Sequence, residues 1–123
     1  MNEQTYQDKP TLAKWNELVS AAASVPKIVM GTYAGDGAAS RTISLGFTPK
    51  AVLLVDMLGR MFSANGNYGG LALAGSPMYD HQSGTPCFMI VDGGFQVLYR
   101  QISSGHYIRL NEPNATFFYL AIA

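Results

Sequence analysis

Two histidines and one acidic neighbour are the residues whose types most directly suggest chemistry. His81 follows Asp80 directly, and His106 is the other histidine of the chain. Protein zinc sites use three or four nitrogen, sulfur or carboxylate ligands at suitable spacing, whereas the carboxylates here are scattered along the sequence. We therefore expect neither a metal site nor a cofactor.

Three nucleophiles lie near the first histidine in sequence: Ser76, Ser83 and Cys87. A catalytic nucleophile must be held against a base that a third group orients, and adjacency in a loop does not provide that geometry. Cys87 also begins the apolar run CFMIV, which is typical of a small buried hydrophobe. These residues predict no catalytic triad, and we expect the protein not to be an enzyme.

A glycine-rich region from Asn65 to Pro86 offers a different chemistry. It combines aromatic rings with amide, carboxylate and imidazole groups, the mixture with which proteins stack on sugar rings and bind their hydroxyls. The predicted binding residues are Asn65, Asn67, Tyr68, Tyr79, Asp80 and His81. The alternative is a loop whose tyrosines only pack on the sheet. Tyr107 and Arg109, near the second histidine, form a lesser candidate patch.

Composition limits the function classes. The chain has 123 residues, enough for one domain with a real core. Eight basic and eight acidic residues give no net charge, so the basic excess typical of nucleic-acid binding is absent. Charged residues make up only 13% of the sequence, which favours an oligomer that hides part of its surface. The single cysteine excludes an intrachain disulfide.

No targeting or membrane-spanning segment is evident. The first residues are polar and lack the apolar core of a signal peptide. The apolar runs are far shorter than the roughly 20 residues that a spanning helix needs. We expect a protein that is not inserted in a membrane.

The strongest secondary-structure signal lies between Gly31 and Asp56. From Arg41 to Phe47 apolar and polar residues alternate, which predicts a strand with one buried face. The preceding Gly35-Asp36-Gly37 predicts a tight hairpin turn. Ala51 to Val55 is apolar at every position, which predicts a strand covered on both faces.

The rest of the chain after residue 26 also has strand patterns. Gly93-Gly94 separates two of them and predicts a hairpin. The further predicted strands are Lys27 to Ala34, Arg60 to Ala64, Pro86 to Asp92, Phe95 to Arg100, Tyr107 to Leu110 and Thr116 to Ala123. About seven or eight strands with short turns predict an all-β fold, an antiparallel β-sandwich at residues 27–123.

A short helix is predicted before the strands, from Thr11 to Ser24, and makes residues 1–26 a helical lead-in. Asp8 or Thr11 could cap its start, and Pro26 ends it. Its apolar stripe has helical spacing and consists of Leu12, Trp15, Leu18, Val19 and Ala22. So short a helix needs a packing partner. It is either an oligomerising stem or a helix that covers one sheet.

Three blocks of the sequence resemble a known class of domain. The run GTYAGDGAASRTISLGFTPKAVLLV and the closing LNEPNATFFYLAIA look like small distal domains of tail-fibre and other tail proteins in phages and prophages of Gram-positive gut bacteria. The opening TYQDKPTLAKWNELV is similar to the short helical lead-in before such domains. The fold also resembles, more weakly, the trimeric sandwich of H-type lectins. The resemblance assigns no binding residues.

The resemblance implies a trimeric β-sandwich carried on a virion or prophage particle, made in the bacterial cytoplasm and in contact with other tail proteins. Its expected function is to bind a bacterial surface glycan or receptor without catalysis. One alternative is a purely structural domain that trimerises or caps a fibre. The other is a small cell-wall hydrolase, which needs two carboxylates in one cleft. Its candidates are too scattered to favour it: Asp56, Asp80, Asp92 and Glu112.

Overall fold

The computed structural model describes residues 11–16 and 27–123. Residues 12–16 form a helix, and Thr11 caps it as predicted, because its Oγ1 accepts a hydrogen bond from the Lys14 amide at 3.1 Å. The predicted helical positions Leu18, Val19 and Ala22, and the stop at Pro26, lie outside the described residues. No helix among the described residues is long and apolar enough to cross a bilayer.

Eleven strands follow in the described sequence, and eight of them are at least four residues long. They are β1 (Ile28–Ala34), β2 (Ser40–Ser44), β3 (Ala51–Asp56), β4 (Phe62–Ser63), β5 (Gly66–Asn67), β6 (Gly70–Leu73), β7 (Met78–Tyr79), β8 (Pro86–Val91), β9 (Gly94–Ser103), β10 (His106–Arg109) and β11 (Thr116–Ile122).

The strands form two sheets. The first has the order β1-β11-β3-β6 and is antiparallel throughout. The second has the order β4-β5-β10-β9-β8-β7, with β2 paired to β9 beside that path. β9 pairs with β2 along one edge, while β8 and β10 share its other edge in succession. The Leu98 carbonyl accepts from Leu110, whereas the adjacent amide of Tyr99 points the opposite way and donates to Ala39. Val91 pairs with Gly94, which confirms the hairpin predicted at Gly93-Gly94.

The core lies between the two sheets and is rich in phenylalanine. Phe117 of the first sheet stacks on Tyr33 at 5.1 Å, and Phe95 of the second meets Phe88 edge to face at 5.6 Å. Phe95 also contacts Tyr119 across the two layers at 5.2 Å. The structure thus confirms the predicted all-β, sandwich-like fold of antiparallel sheets.

One face of the first sheet is apolar and open, which corrects the prediction that β3 is covered on both sides. Val52 and Leu54 are fully buried, but Leu53 between them is 39% exposed. Among the described residues, no third layer packs on this side. We call this side the apolar face. Its members are Ile28, Met30, Ala51, Leu53, Val55, Leu71, Leu73, Phe118, Leu120 and Ile122.

The Gly35-Asp36-Gly37 turn does not close a hairpin, contrary to the prediction. β1 pairs with β11, whereas β2 pairs with β9, so the turn carries the chain from one sheet to the other. Buried Asn111 holds it there, because its Nδ2 donates to Asp36 Oδ1 at 2.6 Å and its backbone oxygen accepts from Gly37. A Cβ at Gly35 would overlap the carbonyl oxygen of Glu112. The glycines serve close packing on a distant loop.

The region from Asn65 to Pro86 contains more strand than the sequence suggests. It includes β5, β6 and β7. β6 pairs with four residues of β3, from Leu54↔Gly70 to Ala51↔Leu73. These strands are short and contain no β-branched residue, so they lack the pattern by which strands are recognised. Their partners are distant in sequence and supply the pairing.

Candidate functional site

Strands β5 and β10 bring the two candidate patches of the sequence together. They pair in parallel, with Tyr107 opposite Gly66 and Ile108 opposite Asn67. Gly66 has a φ of +149°, and a Cβ on it would overlap the carbonyl oxygen of Tyr107. Only glycine fits this approach without strain. The glycine-rich region and the Tyr107 patch therefore adjoin at this surface, with the side chains of Tyr107 and Asn67 on opposite faces of the paired strands.

A buried hydrogen-bond network lies beneath this surface, centred on Asp80. Its Oδ1 is 2.7 Å from Asn67 Nδ2 and 2.6 Å from His106 Nε2. Its Oδ2 accepts from both the amide and the hydroxyl of Ser83, each at 2.8 Å. Asp80 has no exposed surface, and Asn67 and His106 are almost fully buried. The network joins the segment after β7 to β5 and β10.

The network keeps the Asp80 carboxylate ionised. Burial alone would raise the pKa of this carboxyl, but the hydrogen bonds from His106, Ser83 and Asn67 outweigh burial and hold the pKa well below its usual range. All four acceptor positions of the carboxylate are occupied. Asp80 thus stabilises the fold, and its oxygens are not available to a ligand.

Both histidines meet at Asp80, which the sequence analysis did not anticipate. Ligand atoms of Asp80, His81 and His106 lie within 4.8 Å of one another, close enough to consider a metal ion. A metal between Asp80 and His106 would have to displace their 2.6 Å hydrogen bond. The three side chains therefore fit a metal less well than they fit the network observed.

The order of the network differs from that of a nucleophilic triad. In a triad the histidine lies between the nucleophile and the carboxylate. Here Asp80 lies between His106 and Ser83, so no base contacts the Ser83 hydroxyl through this network. Cys87 is fully buried, donates to the carbonyl of Met78, and burial raises the pKa of its thiol to about 12. Such a thiol is a poor nucleophile at neutral pH.

Two exposed rings, those of His81 and Phe62, lie between the buried network and solvent. The His81 ring meets His106 edge to face at 5.2 Å and meets Phe62 in the same way at 5.0 Å. His81 is exposed, and Phe62 is 59% exposed. The buried histidine thus positions an exposed pair of rings.

Arg109 extends from the other face of β10, together with Tyr107, because both alternate with Ile108, which pairs with Asn67. Its Nε donates to the backbone oxygen of Asn65 at 3.1 Å, and its Nη1 donates to Glu112 at 2.9 Å. Its guanidinium lies 4.5 Å from the ring centre of Tyr107. The side-chain amide of Asn65 is exposed and makes no hydrogen bond within the described part of the chain. We call Phe62, Asn65 and His81 the aromatic surface.

The six residues predicted from sequence divide into two groups. Asn67, Tyr68 and Asp80 are buried, while Asn65, Tyr79 and His81 are exposed. Tyr68 supports the guanidinium of Arg60, which lies 3.9 Å above its ring. Of the exposed three, Asn65 and His81 belong to the aromatic surface. Tyr79 lies on β7 and is 56% exposed.

Sequence reasoning missed Phe62 and His106 as members of the site. Each is separated by 19 or more positions from its partner at His81 or Asp80, and no local pattern connects them. The available signal was weak: Phe62 adjoins the glycine-rich region and His106 adjoins Tyr107. The described residues enclose no concave pocket, so the aromatic surface is open. No family model, curated protein or solved structure was found to match the chain.

Proposed function

We propose that this protein is a non-catalytic module of the tail-fibre kind that binds a bacterial surface glycan through the aromatic surface. The observation that carries the proposal is the exposed Phe62–His81 pair, held from below by His106 and Asp80. The apolar face of a sugar ring stacks on such rings. The Asn65 amide is available for its hydroxyl groups.

An open surface suits weak binding at each site. Because no cavity surrounds the ligand, one site buries little sugar, and a useful affinity requires several sites on one particle. A trimer would provide three. This arrangement, together with contacts to other tail proteins on a virion or prophage particle, is what the tail-fibre resemblance implies.

An array of bacterial surface glycans, probed with the purified chain, tests the proposal. We expect Phe62→Ala and His81→Ala each to weaken binding by about tenfold, because a ring contact is worth on the order of 1 kcal/mol. Thr42→Ala is the matched control, since Thr42 is exposed on β2 and lies outside both the aromatic surface and the apolar face. Tyr79→Ala shows whether the surface extends to β7. Unchanged binding in both ring variants, or no binding by the unaltered chain, would contradict the proposal.

A purely structural role is the second candidate, and the apolar face favours it. Such a domain would trimerise or cap a fibre and recognise nothing. It predicts that the oligomer forms while the glycan array remains negative.

A further inference from the structure

We infer that the apolar face is the surface through which copies of this chain associate. The face spans all four strands of the first sheet without interruption. Across the strands, Met30 pairs with Leu120, Leu120 with Leu53, and Leu53 with Leu71. Met30 is 77% exposed at one edge, and Leu71 is 52% exposed near the other. The inference rests on the oligomeric state in the proposed function. Because two whole faces cover each other, this contact pairs two copies and does not by itself build a trimer.

The size of the face is near what a stable contact needs. With strands about 4.8 Å apart and same-face residues about 6.7 Å apart, four strands present a footprint of roughly 400 Å². A typical monomer rarely exposes a larger apolar patch. Two such faces in contact bury roughly 800 Å² by footprint, and the protruding side chains of Met30 and Phe118 raise this area toward the roughly 1,200 Å² lower limit of stable interfaces. The turn after β3 adds two exposed side chains, Met57 and Leu58.

The helical lead-in is a less suitable cover for the face. Leu12 and Trp15 are 75% and 58% exposed, so the apolar stripe of the described helix does not pack on the sheet. The predicted helix from Thr11 to Ser24 would be about 21 Å long and 10 Å wide. Its footprint is about half that of the face. An identical face from another copy covers the whole of it.

The chemistry of the face also favours a copy over other partners. None of its ten residues carries a charge, so it offers nothing for charge complementarity with a different protein. A membrane-binding surface combines apolar residues with lysine or arginine that attracts anionic lipid. The apolar face contains no lysine and no arginine. Apart from Thr32 and Thr116, which lie on the same side of β1 and β11, this sheet face is apolar and complementary to itself.

Light scattering on the full chain tests the inference through a double variant, Met30→Glu with Leu71→Glu. Both side chains point away from the core, so the fold should persist, as circular dichroism can verify. We expect the unaltered chain to have a mass at least twice the monomer mass of 13.2 kDa, and the double variant to have the monomer mass. Thr42→Glu is the matched control, because Thr42 is an exposed strand residue of the second sheet. The Thr42→Glu variant should remain oligomeric.

Two outcomes would overturn the inference: a monomeric unaltered chain, or an oligomer that survives the double variant. The single variant Met30→Glu, at the edge strand, replaces the double variant if the latter fails to fold. Leu12→Glu with Trp15→Glu separates the alternatives further, since loss of the oligomer in that variant alone would assign association to the helix. The two proposals can fail separately. If the double variant is monomeric and no form of the protein binds the glycan array, this inference stands while the glycan proposal fails.

Discussion

The carboxylate of Asp80 lies 2.6 Å from Nε2 of His106, although 26 positions separate them in sequence. This bond fastens the segment after β7 to the start of β10. Because His106 in turn contacts the ring of His81, the bond also positions the exposed part of the aromatic surface. The buried pair and the candidate binding surface are therefore one structural unit.

Replacing Asp80 by asparagine should destabilise the protein. The new amide would present a donor where Oδ2 now accepts two hydrogen bonds from Ser83. Breaking a buried charged network and leaving polar groups unpaired costs about 3 kcal/mol. Urea unfolding measures the change. Asp92→Asn is the control, because Asp92 is exposed in the β8–β9 turn, and it should change the free energy of unfolding by less than about 0.5 kcal/mol.

The same carboxylate should make stability depend on acid pH. Its pKa in the folded state lies below the unfolded value of about 3.9. The stabilisation is therefore fully present above that value and is lost as the pH falls through the folded pKa. We expect the free energy of unfolding of the unaltered chain, relative to Asp80→Asn, to decline below about pH 5. A constant difference from pH 6 down to the acid limit of folding would contradict this assignment.

Zinc should not stabilise the protein, even though three ligand atoms lie close together. Both Asp80 Oδ1 and His106 Nε2 are engaged with each other, and the third ligand, His81, is exposed. Thermal unfolding with zinc chloride and with EDTA is expected to give the same Tm. A rise in Tm with zinc that His81→Ala abolishes would show that the metal displaces the hydrogen bond.

Gly66→Ala should damage the site through the backbone. Its φ of +149° is unfavourable for alanine, and the added Cβ would also overlap the carbonyl oxygen of Tyr107. We expect a loss of about 3 kcal/mol or more in urea unfolding. Gly46→Ala is the matched control, since Gly46 has a φ of +81° with open space around it. That change should cost only about 1 kcal/mol.

The sequence predicts those parts of the fold that rest on local patterns. Alternation around Ile43, which is buried between exposed Thr42 and Ser44, correctly predicts β2. A glycine pair correctly predicts the β8–β9 hairpin. Long-range partners are not encoded in such patterns. The Gly35 turn resembles a hairpin because its glycines tolerate a tight bend, yet the structure uses Gly35 to pack against the backbone of Glu112.

The candidate site was predicted in part for the same reason. Asn65 and His81 were found by composition, because polar and aromatic residues concentrate in their region. Phe62 and His106 were missed because their roles depend on contacts with His81 and Asp80 that only the completed fold creates. Buried Asn67 and Asp80 could not be told from exposed ligands, since both roles call for the same polar side chains.

The sheet topology also bears on how the protein folds. The β8–β9 hairpin joins neighbours in sequence, whereas the β1–β11 pairing joins Ala34 to Thr116 and Ile28 to Ile122. Contacts over such separations raise the contact order and slow folding. The β5–β10 pair is similarly remote, with Gly66 opposite Tyr107. The hairpin can therefore form locally, while the aromatic surface is assembled only when distant segments of the chain close on one another.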